Sequence, residues 1–113
     1  MMTIEEYQNY VMDGASSNYD RKLAMLGLMG EVGELADVVK KENIYPDMSG
    51  FEKKYGMPVK DKIKDEAGDV LWQFTLLISK YGLSIQEIMD SNVEKLNKRH
   101  GGEGKTASDG GKR

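Results

Sequence analysis

Two pairs of acidic residues stand out because each pair has the spacing of one helical turn. Glu31 precedes Glu34 by three residues, and Glu66 precedes Asp69 by three. If both segments are helical, the two carboxylates of each pair project from one face. Apolar residues surround both pairs, so four carboxylates beside buried faces would repel one another unless a cation lay between them. An oxygen-seeking divalent ion such as Mg²⁺ suits that position, and the pattern indicates a metal-dependent enzyme acting on phosphates.

A second group of polar residues lies near the end of the last helical segment. Asn92, Lys95 and Arg99 follow one another at intervals of three and four, so they share a helix face. An amide, an ammonium and a guanidinium together suit phosphate oxygens, which Arg can bind in a bidentate way. Cations at a helix C-terminus also compensate the helix dipole without any ligand, so these residues alone leave both interpretations open.

Helical periodicity covers most of the chain and indicates an all-α fold. Apolar spacing and two capping boxes, Thr3 with Glu6 and Ser84 with Glu87, place the helix starts. Residues 42–58 contain both prolines and are expected to form a long connection, with one short turn begun by Ser49. No segment shows the alternation of a strand. The sequence therefore predicts a four-helix bundle, with helices over about residues 3–12, 19–41, 60–81 and 84–100.

Three glycines interrupt the second predicted helix at intervals of three. Gly27, Gly30 and Gly33 each cost about 0.5–1 kcal/mol relative to alanine in a helix interior. Close approach of another backbone or of a ligand along that stripe would offset this cost. The alternative is a break of the helix near Gly30.

Bulk composition narrows the class of protein further. With 113 residues the chain forms one domain, expected over residues 1–100, and residues 101–113 are too polar to be expected to fold. The net charge of −3 gives no electrostatic reason to expect a nucleic-acid surface, and no apolar run approaches the about 20 residues that span a bilayer. No cysteine is present, which is compatible with a reducing compartment. A soluble, cytoplasmic protein is expected.

The motifs in their order resemble the MazG-like, all-α nucleoside triphosphate pyrophosphohydrolases. The first motif is Glu31-Val-Gly-Glu34, the second is Glu66-Ala-Gly-Asp69, and the third runs from Asn92 through Lys95 and Leu96 to Arg99. The resemblance covers about residues 19–100. The spacer between the acidic pairs, which includes YPDMSGFEKKYGMP, is longer than in the shortest members of the family. This departure leaves the substrate-facing loop and the base specificity open.

The resemblance implies a function and a set of site residues. Mg²⁺ would be held by Glu31, Glu34, Glu66 and Asp69, with Glu34 the foremost candidate to orient or deprotonate the attacking water. Phosphates would be held by Lys95 and Arg99, with Asn92 as a weaker candidate. Members of the family cleave a nucleoside triphosphate between the α and β phosphates, which gives the monophosphate and pyrophosphate. A dUTPase-like or dCTPase-like enzyme and a phosphoribosyl-ATP pyrophosphohydrolase share the acidic pairs and stay open as alternatives.

Self-association is a further expectation, with a homodimer or a homotetramer as the candidate assemblies. Four helices of these lengths give a thin core, and the second and third carry more apolar residues than one partner face would cover. A non-catalytic helical association module, whose acids pair with lysines across a subunit interface, is the alternative from a different functional class.

Overall fold

The computed structural model describes residues 1–44 and 48–100, and all regular structure within those residues is helical. The disorder expected for residues 101–113 lies outside the described residues. Five helices follow one another along the described chain: α1 (Ile4–Gly14), α2 (Arg21–Ile44), α3 (Met48–Tyr55), α4 (Val59–Ser79) and α5 (Ile85–Arg99). No helix among these residues has the length and apolar character that crossing a membrane requires.

The helix starts follow the capping chemistry of the sequence. The Thr3 hydroxyl accepts from the backbone N–H of Glu6, and the Glu6 carboxylate accepts from the N–H of Thr3, at 3.1 and 2.8 Å. Ser84 and Glu87 repeat this exchange at the start of α5 with the same two distances. These capping boxes confirm two predicted boundaries.

The predicted connection over residues 42–58 contains a helix, so the described chain has five helices where the sequence predicted four. Helix α3 forms because its apolar side has something to pack against: Phe51 is fully buried, and its ring centroid lies 4.7 Å from that of Tyr55. Gly56, with a φ of 75°, then ends the helix in the left-handed region that glycine adopts most readily. The predicted turn at Ser49 falls within this helix.

Helices α2 and α4 pack against each other and form the frame of the fold. Ala24 contacts Leu76 in the core, Gly27 lies beside Gln73, and Glu31 lies near Glu66, so the two helices run antiparallel. Helix α2 continues through all three glycines, which excludes the predicted alternative of a break near Gly30.

Helix α1 packs across α4 and also holds α5. Val11 of α1 is fully buried beside Ala24 and Leu76, and Tyr7, Tyr19 and Trp72 surround this small cluster. No residue of α5 is buried. The frame that positions the acidic residues is therefore the α2–α4 pair, whereas α5 lies at the edge of the chain.

Candidate metal and phosphate site

The α2–α4 pair brings together three of the four acidic residues that the sequence suggests as metal ligands. Glu31, Glu34 and Glu66 each contribute one carboxylate oxygen, and these three oxygens all lie within 4.8 Å of one another. A divalent ion bound by carboxylates lies between 2 and about 2.6 Å from each oxygen, so the three side chains are close enough to share one ion. The group is formed by the antiparallel packing, because it joins two helices whose motifs are more than thirty residues apart.

Two carboxylate oxygens of the clustered glutamates are buried and have no hydrogen-bond partner among the described residues. They are Oε2 of Glu31 and Oε2 of Glu66. Glu66 is only 7% exposed, which is unusual for a carboxylate. An unpaired buried carboxylate oxygen is costly, and a hard cation held by these glutamates would offset that cost. The donor set therefore fits a divalent, oxygen-seeking ion.

The pKa of Glu31 is raised in the folded chain by burial and by the carboxylates around it. Burial raises the pKa of its carboxyl above the ordinary value, and the negative charges of Asp69, Glu34 and Glu66 raise it further. Asp69 is exposed and is not one of the three clustered ligands. Its negative charge nevertheless helps to raise the pKa of Glu31, so the fourth predicted ligand lies near that residue.

A pocket of about 420 Å³ opens over Glu34 and Glu66. Gly30 and Gly33 form part of its wall, and a β-carbon built on either glycine would meet no atom within 4 Å. The other described residues that line it are Asp37, Val38, Tyr55 and Lys62. A larger groove of about 610 Å³ lies between α1 and the α4–α5 connection, but none of the clustered acids lines it. Of these two pockets, the smaller one is therefore the one beside the carboxylate cluster.

Sequence reasoning missed two residues of this pocket, Lys62 and Tyr55. The Lys62 ammonium lies 3.1 Å from Oε1 of Glu66 and 3.6 Å from a carboxylate oxygen of Asp65. The hydrogen bond to Glu66 raises the pKa of Lys62. The ammonium also lies 5.5 Å from the centroid of the Tyr55 ring. The four-residue spacing between Lys62 and Glu66 could have indicated the ion pair, whereas nothing local indicates Tyr55, which reaches the site from α3.

The predicted phosphate-binding residues lie elsewhere on the single chain. Asn92 and Lys95 line a groove on α5 together with Leu83 and Glu87. Arg99 lies in the last turn of the same helix. None of the three lines the pocket over Glu34 and Glu66. The predicted phosphate-binding residues therefore do not line the same pocket as the acidic residues in one chain.

Comparison with known proteins identifies the family. The model of the MazG nucleotide pyrophosphohydrolase domain matches residues 20–102, which is most of the chain. This chain belongs to the MazG family. An uncharacterized protein of Bacillus subtilis, YvdC, is 35% identical over 72 residues, which are 64% of this chain and 68% of that protein. The Gene 37 protein of Mycobacterium phage L5 is 32% identical over 74 residues, and the match spans 66% of this chain and 60% of the phage protein. No solved structure matches the chain significantly.

Membership of the MazG family gives the acidic cluster its chemical context. The matched residues contain both acidic motifs, the residues that line the pocket and the polar face of α5. The family name implies a hydrolase that acts on nucleotide pyrophosphate bonds. The resemblance inferred from the motifs is thereby confirmed, and a cluster of three glutamates is the part of this MazG domain suited to a metal ion.

Proposed function

We propose that this MazG domain is a Mg²⁺-dependent nucleoside triphosphate pyrophosphohydrolase that cleaves the bond between the α and β phosphates and releases the monophosphate and pyrophosphate. The observation that carries the proposal is the pair of unpartnered carboxylate oxygens, on Glu31 and Glu66, beside an open pocket. A triphosphate brings several negative charges to an already acidic place, so it can bind there only together with cations. A magnesium ion would supply that charge and polarise the phosphoryl oxygens.

The roles of the acidic residues follow from their positions. Glu31 and Glu66 are the more enclosed ligands, and their helices hold them at fixed separation. Glu34 is exposed and lines the pocket, so it is best placed to accept a proton from the attacking water and orient it in line with the scissile bond. Asp69 completes the ligand set from the side of the cluster. The water oxygen would form a bond to the α phosphorus as the bond from this phosphorus to the bridging oxygen breaks, and pyrophosphate would leave with the bridging oxygen.

The cationic face of α5 is proposed to bind the phosphates of a substrate that is held in the acidic pocket of a second subunit. Asn92, Lys95 and Arg99 lie on a helix without buried residues, so this helix remains available to a second copy of the chain. In a homodimer or homotetramer the polar face of one subunit would approach the acidic pocket of another and hold the phosphates. The proposed setting is the cytoplasm, where nucleoside triphosphates are present.

The decisive experiment measures pyrophosphate release from a panel of ordinary and damaged nucleoside triphosphates with Mg²⁺. We expect at least one substrate to be cleaved, and Glu34→Gln or Glu66→Gln to lower kcat by about 100-fold or more, since each removes a charge that binds the ion or a base that moves a proton. Glu5→Gln is the matched control, because Glu5 is exposed on α1 and lines no part of the pocket.

Thermal denaturation provides an independent measurement. Mg²⁺ at about 100 times its Kd should add about 2.7 kcal/mol to the free energy of unfolding, and Glu66→Gln should abolish that gain. Unchanged melting with Mg²⁺, together with no pyrophosphate from any triphosphate, would instead support the non-catalytic association module.

A further inference from the structure

Lys62 is the one cationic side chain among the described residues that line the acidic pocket. Its side chain is 19% exposed, and its ammonium donates to the Oε1 atom of Glu66, a carboxylate that is itself almost fully buried. Both groups belong to α4, where a spacing of four residues places them on neighbouring turns. The ion pair is therefore built into the helix and needs no partner subunit.

Helix α3 holds the same ammonium from the other side. The Tyr55 ring faces Lys62 at 5.5 Å, within the range of a cation–π contact. Tyr55 is in turn fixed against Phe51, whose side chain is fully buried. The helix that the sequence did not predict thus places an aromatic surface beside the lysine, and Lys62 lies between this surface and Glu66.

The Lys62 ammonium and a divalent ion bound by Glu66 would repel each other. The ammonium pairs with Oε1 of Glu66, while Oε2 of the same carboxylate is buried without a hydrogen-bond partner among the described residues. Glu66 also contributes one of its oxygens to the cluster of three carboxylates. An ion bound by Glu66 would lie within a few ångströms of the ammonium. Two cations at that separation repel each other strongly in a partly buried site. Occupancy of the cluster by a metal ion and the contact between Lys62 and Glu66 therefore compete.

We propose that Lys62 is an internal counter-ion that neutralises Glu66 in the metal-free protein and sets the affinity of the cluster for a divalent cation, with Tyr55 as the surface that retains the displaced ammonium. The inference rests on the proposed function, because it assumes that the cluster binds a metal ion. It assigns Lys62 a positioning role: the residue acts through Glu66 and touches no reacting atom.

The test is a calorimetric titration of the full chain, freed of metal with EDTA and dialysed, with Mg²⁺ or Mn²⁺. We expect Lys62→Met to bind the ion about fivefold more tightly than the wild-type chain, the factor by which a partly exposed ion pair typically shifts an equilibrium. Lys64→Met is the matched control: it removes the same charge from the same helix at an exposed position outside the pocket, so its affinity should stay within about twofold of wild type. Lys62→Arg retains the charge and should keep affinity near that of the wild-type chain.

A second variant and a second measurement guard against a folding defect. Lys62→Gln can still donate a hydrogen bond to Glu66 and lacks only the charge, so it too should bind the ion more tightly. In EDTA, both uncharged variants should melt below wild type, since Glu66 then has no cation beside it, and the ion should stabilise them more than it stabilises wild type.

The outcomes separate this inference from the proposed function. If wild type binds the ion and Lys62→Met binds it equally or more weakly, Lys62 merely supports the helix or holds Glu66 in place, and the counter-ion role is wrong. If neither wild type nor any variant binds a divalent ion, the proposed metal-dependent function itself fails.

Discussion

Glu31 and Glu66 each have a buried carboxylate oxygen that lowers the stability of the fold and is also available to bind a metal ion. Each keeps one oxygen buried without a hydrogen-bond partner among the described residues, which destabilises the folded chain before any ion binds. The same oxygens then offer a cation ligands that are already desolvated and held by two packed helices. A site of this kind binds an ion at the expense of stability in its absence, and single substitutions can separate the two effects.

The pKa of Glu31 makes that cost dependent on pH. Because the folded state raises this pKa, the folded chain holds the Glu31 proton more tightly than the unfolded chain does. The destabilisation is fully present above the raised pKa and disappears as the pH falls toward the unfolded value of about 4.3. In EDTA, the Glu31 contribution should therefore favour folding increasingly as the pH is lowered from neutral.

Glu31→Gln should remove this contribution. In EDTA at neutral pH we expect the variant to melt a few degrees above wild type, with a shallower rise in stability on acidification, and to gain less stability from Mg²⁺. Glu5→Gln, which removes the same charge from α1, should follow the wild-type pH profile. A Glu31→Gln chain that melts below wild type in EDTA would contradict the account, because Glu31 would then be stabilising the fold.

The sequence identifies the acidic residues that cluster between α2 and α4, but it does not identify Lys62 or the aromatic ring beside it. The spacing of Glu31, Glu34 and Glu66 is a local property of helices, and the antiparallel packing of two apolar helices then brings the motifs together. Tyr55 belongs to a segment whose helical state depends on burying Phe51 against the rest of the fold. Such tertiary stabilisation leaves no periodic signal in eight residues, so the aromatic wall beside Lys62 could not be predicted.

At the scale of the helix, the three glycines of α2 differ in the space around them. The sequence predicts close approach of another backbone or of a ligand along the stripe. At Gly27 the close neighbours are side chains: a β-carbon there would lie 2.5 Å from Oε1 of Gln73 and 2.6 Å from the Tyr19 hydroxyl. Those two atoms are joined by a hydrogen bond of 3.2 Å that passes over the glycine. Gly30 and Gly33 instead leave open space at the pocket.

Alanine substitutions should distinguish Gly27 from Gly30, because they should change the free energy of unfolding in opposite directions. Gly30→Ala should stabilise the metal-free chain by about 0.5–1 kcal/mol, the ordinary helix preference of alanine over glycine. Gly27→Ala should lose that gain and destabilise by about 1 kcal/mol, because its methyl group separates Tyr19 from Gln73 and leaves polar atoms unpaired. Urea denaturation measures both. Equal stabilisation by the two variants would show that α2 and α4 are not in close contact at Gly27.

Helix α1 secures the connection between α4 and α5 through one side chain. The Gln8 amide donates to the Ser79 hydroxyl at 2.7 Å and to the carbonyl of Leu83 at 2.8 Å, and its oxygen accepts from the N–H of Ile85 at 3.2 Å. The last of these bonds satisfies a free N–H group in the first turn of α5. Gln8 therefore links the start of α5 to α1.

Gln8→Ala should destabilise the chain by about 1–3 kcal/mol, since it leaves several backbone and side-chain groups without partners. Asn9→Ala, at the next and exposed position of α1, should cost less than about 0.5 kcal/mol. Chemical denaturation gives both values, and amide hydrogen exchange should show faster exchange at the start of α5 in the Gln8 variant. Equal costs for the two variants would refute the anchoring role.

At the scale of the whole molecule, local signals are sufficient to predict α1, α2, α4 and α5, but they predict neither α3 nor where each helix docks. Periodicity, capping boxes and glycine positions are encoded within a few residues, so the sequence places α1, α2, α4 and α5 closely. Where an amphipathic helix docks depends on surfaces distant in sequence. The sequence predicts phosphate-binding residues on α5, but it does not predict where they dock: in one chain Asn92 and Lys95 line a groove of their own. If both groups bind one substrate, the site is divided between them, and the proposed self-association would bring them together.

Helix α2 presents the surface that would bind this second copy. Five of its residues recur at alternating intervals of four and three, the spacing of a helix–helix seam: Met25, Met29, Val32, Ala36 and Val39. All five are exposed in the single chain, with Met29 at 62%. Another side of α2, which carries Ala24 and Gly27, already packs on α4, so two sides of this helix are apolar. A helix of that kind is stable in water only when both sides are covered.

We therefore expect the wild-type chain to sediment as a dimer or a larger assembly at micromolar concentration. Met29→Lys should shift it toward the monomer, because a charge at the centre of the seam must be desolvated on association. Met12→Lys is the control, since Met12 is also an exposed methionine but lies on α1. If the divided site depends on this contact, Met29→Lys should also lower pyrophosphate release while the isolated subunit still binds Mg²⁺ through its own cluster. A stable wild-type monomer with full activity would show that one chain suffices, and α5 would then have no part in holding phosphate.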